Sequence, residues 1–267
     1  MAKVMTENRE LCEIKCEPYK TMIEQALEKE KNMLATMTHD NAGAGYKRLI
    51  LCESMIGVAT YYITINNLTV EFVNTKDNDA LNDARKMIYK AIIYLEEIVS
   101  NVVDAVQSDM VDKLAEISNT PLEKRFYLVR KLGLAISLLI DAFGDNTKWR
   151  WSFVELQGRF ATVAKNLLDL KQAAKDYFDP NSPDYDNTVL YVRLIRKLND
   201  QSATAYRDRY ELSTHRIDDM RLGIQYLSAC RRIAIALGEA EEAEEIKKKA
   251  GVWRQKVEAD QKAGRAN

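Results

Sequence analysis

Histidine is almost missing from this chain: two stand among 267 residues, beside four cysteines, four prolines and ten glycines. With only His39 and His215, neither in a recognisable nucleophile context, Ser-His-Asp and Cys-His systems lack their base. Few prolines and glycines mean little of the punctuation that loop-rich and all-β folds require. Nor is there an excess of one charge. Thirty-nine basic against forty acidic residues leave −1 and a pI near 6.2, which argues against a broad footprint for nucleic acid or anionic membrane. The opening MAKVMTENRELCEIKCE has no apolar core of a secretion signal. The apolar stretches Leu49–Ile65 and Leu132–Ile140 carry Glu53, Thr60 or Ser137, or are too short to span a bilayer. The expectation is a soluble, cytoplasmic protein with reduced thiols and no membrane partner. Cys12 and Cys16, one helical turn apart, offer two metal ligands, but no Cys or His nearby in sequence completes a set.

What is present is helical pattern. Hydrophobic residues make up 46% and charged residues 30%, a mixture that favours long helices with solvated faces. Met22, Ala26, Met33 and Met37 form a first stripe after Pro18, and His39–Gly45 reads as a loop. Tyr46–Asn67 is apolar on nearly every side, as for a helix at the centre of a bundle. The Thr- and Val-rich tail Ile63–Val73 carries strand propensity. Leu81, Ala84, Ile88, Ala91, Leu95, Ile98, Val102 and Ala105 alternate steps of three and four, predicting one long helix capped by Asn78 or Asp79. The same seam would serve a homodimer. Thr120-Pro121-Leu122-Glu123 opens another helix that stops at Phe143-Gly144. A further helix is expected from Thr147 to Phe178, and mostly helical chain from Thr188 to Leu237, interrupted near Ser213-Thr214. Asp179-Pro180-Asn181-Ser182-Pro183-Asp184 reads as a linker. The domain expectation is therefore an N-terminal helical bundle over 1–178, a Pro-containing linker over 179–187 and a C-terminal hairpin region over 188–267 packed on the first as one unit. Gly57, Gly133 and Gly223, each inside an apolar helix, suggest close helix–helix approach.

The stretch ALGEAEEAEEIKKKA, Ala236–Ala250, carries acids first and bases later, the order that suits a helix beginning near Glu239. Gly238 is then the stop of the preceding helix, against the alternative of one continuous rod. Gly238, Ala243 and Ala250 match the spacing of the tetratricopeptide repeat, which the segment 222–257 resembles. It departs from that pattern at Leu227, Arg231, Ala234 and Lys247. The resemblance implies a stacked helical-hairpin scaffold that binds other proteins.

The chemistry-bearing residues do not assemble into an active site along the sequence. Glu211, His215 and Asp218 can share a helix face, but the facing half of a metal centre is missing. Asn41-Ala42-Gly43-Ala44-Gly45 lacks the spacing of a phosphate loop. Lys148-Trp149-Arg150-Trp151 alternates cations with indoles, and the two tryptophans lie about 200° apart on a helix, so one faces outward. Trp149, Trp151, Trp253, Lys148 and Arg150 are thus the candidate partner-binding residues, with no catalytic, cofactor or metal residue. The expected protein is all-α, with seven or eight helices in stacked antiparallel hairpins, either TPR-like or a helical bundle. Its expected role is a non-enzymatic scaffold or adaptor presenting a groove to a protein partner. Two other classes stay open. A ligand-binding protein or enzyme would need a buried polar cluster between helices. A nucleic-acid role would need Lys148, Arg150, Arg159, Lys47 and Arg48 on one stripe.

Overall fold

The computed structural model describes residues 2–145 and 147–264, and every element among them is helical. The elements are α1 (Ala2–His39), α2 (Ala44–Val73), α3 (Asn78–Ile98), α4 (Gln107–Ala115), α5 (Leu122–Phe143), α6 (Arg150–Asn166), α7 (Leu170–Asp176), α8 (Tyr185–Arg209), α9 (Ile217–Ala236) and α10 (Ala240–Lys262). One turn of π-helix, Tyr210–Thr214, follows α8. Among the described residues ten α-helices stand where the sequence pattern predicts seven or eight, because short helices and breaks subdivide stretches that read as continuous.

Packing divides the chain into two units. The first holds the residues up to Ile98 and Tyr127–Lys148; the second holds Val99–Phe126 and the chain from Trp149 onward. The boundary is therefore not at the prolines. The segment 179–184 is a turn between α7 and α8, both of the second unit, and it closes on itself. Asn181 N–H donates to Asp179 Oδ1 and Tyr185 N–H to the Ser182 carbonyl.

In the first unit, α2 packs against both α1 and α3, as its apolar circumference predicts. Leu51, Cys52, Met55, Val58 and Ala59 are buried there. The helix is long and apolar enough to cross a membrane by length and composition, yet half of that window is buried inside the fold. It also runs to Val73 despite its β-branched tail. Thr60, Thr64 and Thr69 each donate to the carbonyl four residues back at 2.9 Å, so their hydroxyls are satisfied within the helix. Glu30 on α1 is buried and accepts from Lys90 at 2.7 Å and from Tyr94 on α3.

The α3 stripe is consumed within the chain. Leu81, Ala84, Ile88, Ala91 and Leu95 are fully buried, with α3 packed on α2 of the same chain, while Val102 further along the stripe is 54% exposed. The helix also ends at Ile98 rather than near Ala105. Asn166 donates to the carbonyls of Ser100 and Val102 at 3.0 and 3.2 Å, while Val102 N–H turns to Ser100 Oγ at 3.1 Å. The cap at its start is Asp77, which accepts from Ala80 N–H at 2.9 Å, one residue before the expected pair.

In the second unit α8 packs between α6 and α9, and α9 packs on α10. The expected helix 147–178 is two. Asp169 caps α7 by accepting from Lys171 and Gln172 N–H at 2.9 and 3.1 Å, after α6 has ended at Asn166. Gly238 does turn the chain: its φ is +73°, a conformation open to glycine, and α9 and α10 form a hairpin about it. Of the glycines expected at close helix contacts, Gly223 is one, since a Cβ there would lie 3.1 Å from the Ala203 carbonyl oxygen. Gly57 is not, having nothing within 4 Å of such an atom.

Candidate functional site: a basic groove on the C-terminal hairpin

Successive turns of α9 and α10 line a groove of about 350 Å³ in the second unit. Leu227, Ser228, Arg231, Arg232 and Ile235 line it from α9, and Ile246, Lys247, Ala250 and Arg254 from α10. These residues recur at three- and four-residue steps, so one face of each helix supplies the walls. Leu227 and Ala250 belong to the apolar core beneath, and Ile235 is 51% exposed.

The polar rim is unequal in sign. Arg231, Arg232, Lys247 and Arg254 face one acid, Asp104, from the segment that follows α3. Arg232 holds Asp104 in a two-pronged ion pair, its Nη2 at 3.2 Å, which leaves no free carboxylate there. Lys247 pairs with Glu244 on its own helix at 3.1 Å. Arg231 and Arg254 have no ion-pair partner among the described residues, and Arg231 Nε is buried without a hydrogen bond. Close to the Asp104–Arg232 pair, Lys165 is 4% exposed. Burial pushes its ammonium down to about 8, with Arg232 adding to the shift and Asp104 opposing it.

A family model matches residues 8–261, which takes in the groove and most of both units. The chain belongs to the TP0443 family. No curated protein and no solved structure matches it. The groove of this TP0443-family chain lies wholly within the matched residues.

The anchors that the sequence singles out lie elsewhere. Trp253 is 5% exposed and forms part of the core with Tyr206, Tyr226 and Leu227, so it cannot anchor a partner from the surface. The Arg207 and Lys249 cations lie 5.6 and 5.5 Å from its ring. Trp151 is half-buried against the same core, with Arg150 at 5.0 Å from its ring. Trp149 is half-buried at the residue preceding α6, and Lys148 is exposed. None of the five lines the groove. Of the residues tied to a nucleic-acid stripe, Arg48 is bound to Glu97 at 2.6 Å and Lys47 to the Asp40 carbonyl at 3.1 Å.

A second polar feature lies where α8 gives way to the π turn. Asp219, buried, accepts from Arg209 and from the Thr214 hydroxyl. Arg209 also donates to the Trp151 carbonyl at 3.3 Å and lies over the Tyr206 ring at 4.7 Å. Tyr206 stacks on Tyr226, whose hydroxyl meets Thr162 at 3.1 Å. Tyr210 donates to Asp260 at 2.8 Å. The three residues that could share a face from Glu211 are dispersed: Glu211 pairs with Arg207, Asp218 with Arg221, and His215 ends the π turn at φ +51°. Among the described residues no three His, Cys, Asp or Glu side chains are grouped as for a metal.

A signal for the groove exists in the sequence as Arg231-Arg232 and Arg254, spaced to share faces with Leu227, Ile235 and Ala250. Taken one helix at a time, each arginine belongs to a solvated face. Only the turn at Gly238 brings the two helices together.

Proposed function

We propose that this protein is a soluble, cytoplasmic, non-enzymatic scaffold that works by contact with another protein, received in the α9–α10 groove. One observation carries the reading: an open trough with an apolar floor and a rim of cations, built on two packed helices. Such a trough accepts an amphipathic segment by the same ridge-and-pocket geometry with which helices pack on each other. The hairpin about Gly238 supports the tetratricopeptide-like comparison at the level of architecture. The test is a photo-reactive benzoylphenylalanine in place of Ile235, irradiated in the native cell. The expected product is a covalent adduct with another polypeptide. Failure to form one, while the same probe in place of the exposed Glu241 labels neighbours freely, overturns the groove as a contact site.

A further inference from the structure

We infer that the groove takes a short acidic amphipathic helix whose carboxylates pair with Arg231 and Arg254, which rests on the groove's being a protein-contact site and adds the chemistry of the partner. Charge complementarity selects this occupant. Among the described residues the one acid lining the groove, Asp104, is already held by Arg232, so the two unpaired guanidinia face no carboxylate of their own. The chain as a whole is nearly neutral at −1, so this local imbalance is not the echo of a basic protein. A guanidinium fork matches a carboxylate in two parallel bonds, and beside apolar surface that pairing is less screened than in open water.

Length and floor narrow the occupant further. The lining runs from Leu227 to Ile235 on α9 and from Ile246 to Arg254 on α10. Each run spans about 12 Å, or roughly two helical turns. A partner helix of about 12 residues covers it, with leucine or isoleucine at i and i+4 over Ile235 and Ile246 and acids on the flanks. A polyanion without an apolar face, such as an oligonucleotide, would satisfy the arginines and leave that floor uncovered.

The experiment is selection of a phage-displayed peptide library of about 12 randomised positions against the intact chain, followed by anisotropy with the selected peptides. Expected are peptides with Asp or Glu flanking aliphatic residues at helical spacing. Their affinity should drop roughly tenfold or more on Arg231→Glu or Arg254→Glu. The drop should also shrink as salt is raised. Circular dichroism and the thermal midpoint of each variant verify folding, and Arg221→Glu, on the exposed face of α9, should leave binding unchanged. Selected peptides without an acidic bias, or peptides that bind the charge-reversed variants equally well, overturn the inference. So does a single-stranded DNA oligonucleotide that competes more strongly than the acidic peptides. If the Ile235 probe captures a polypeptide while acidic peptides fail, the partner chemistry falls and the contact site stands. If both fail, the contact site falls as well.

Discussion

Asp219 is the residue whose loss has the plainest physical consequence. It is buried, its two oxygens are bound by Arg209 and Thr214, and the Arg209 guanidinium is itself largely sheltered. Asp219→Ala leaves that cation without its counter-charge, and a loss of about 3–5 kcal/mol is expected in urea unfolding. Asp83→Ala, which breaks an exposed pair with Lys86, should leave the same measurement nearly unchanged. Lys165 gives a pH-dependent prediction. Its proton leaves near pH 8 in the fold against 10.5 for an ordinary lysine. Between those values the unfolded chain holds more protons, so this side chain's contribution to stability rises with pH. Lys165→Met should therefore be more stable than the parent below pH 8, by about 3 kcal/mol at most. The gap should close as pH approaches 10.5. A gap independent of pH would show that packing, not charge, governs the site. Neither residue stands out in the sequence, since a mid-helix lysine and a first-turn aspartate both read as solvated. The tryptophans stand out, and misleadingly. Indoles are conspicuous by type, while their exposure depends on neighbours distant in sequence, as Arg207 and Gly223 show for Trp253.

Helices and their ends show which patterns carry over into structure. Stops made by backbone geometry are readable: Gly144 and Gly238 have φ of +76° and +73°, and α5 begins immediately after Pro121. Stops made by remote side chains are not. Asn166 reaches the carbonyls of Ser100 and Val102, 66 and 64 residues away, and α3 ends there although its stripe continues. The glycines inside helices behave in two ways. A Cβ at Gly158 would lie 2.7 Å from both the Tyr206 ring and the Tyr226 hydroxyl, whereas one at Gly57 would meet open space. Gly158→Ala should thus lower stability by about 1–3 kcal/mol. Gly57→Ala should raise it by about 1 kcal/mol, the helix-propensity difference alone. Thermal unfolding of the two variants checks this, and shifts of the same sign would contradict the packing described.

At the scale of the molecule, burial sets the alkaline limit. Cys16 is pushed up to about 11, first by burial and then by Cys12; Cys230 goes to about 12 by burial and Asp200. Cys52, Tyr94 and Tyr191 are pushed up as well, chiefly by burial, and Tyr210 reaches about 12 by burial and its bond to Asp260. Unfolded, such thiols and phenols ionise near 9 and 10. Their neutral forms thus support the fold fully below pH 9, and that support drains as pH climbs towards 11–12. Lys165 works in the opposite sense over part of this range, one group against several. The thermal midpoint should fall steadily above pH 9, and Cys52→Val should flatten the fall. A midpoint constant from about pH 8 to 11 would rule this account out.

The interleaving of the two units has a consequence for synthesis. The chain leaves the first unit at Ile98, returns at Tyr127 and leaves again after Lys148. A ribosome therefore releases part of the second unit before the first is complete. α1, α2 and α3 emerge together and can pack, but the strip 127–148 that finishes their unit arrives only after 99–126 has been left waiting. Premature termination anywhere before Lys148 yields no finished unit at all, and a chain cut at the prolines keeps one unit and strands the helices of the other.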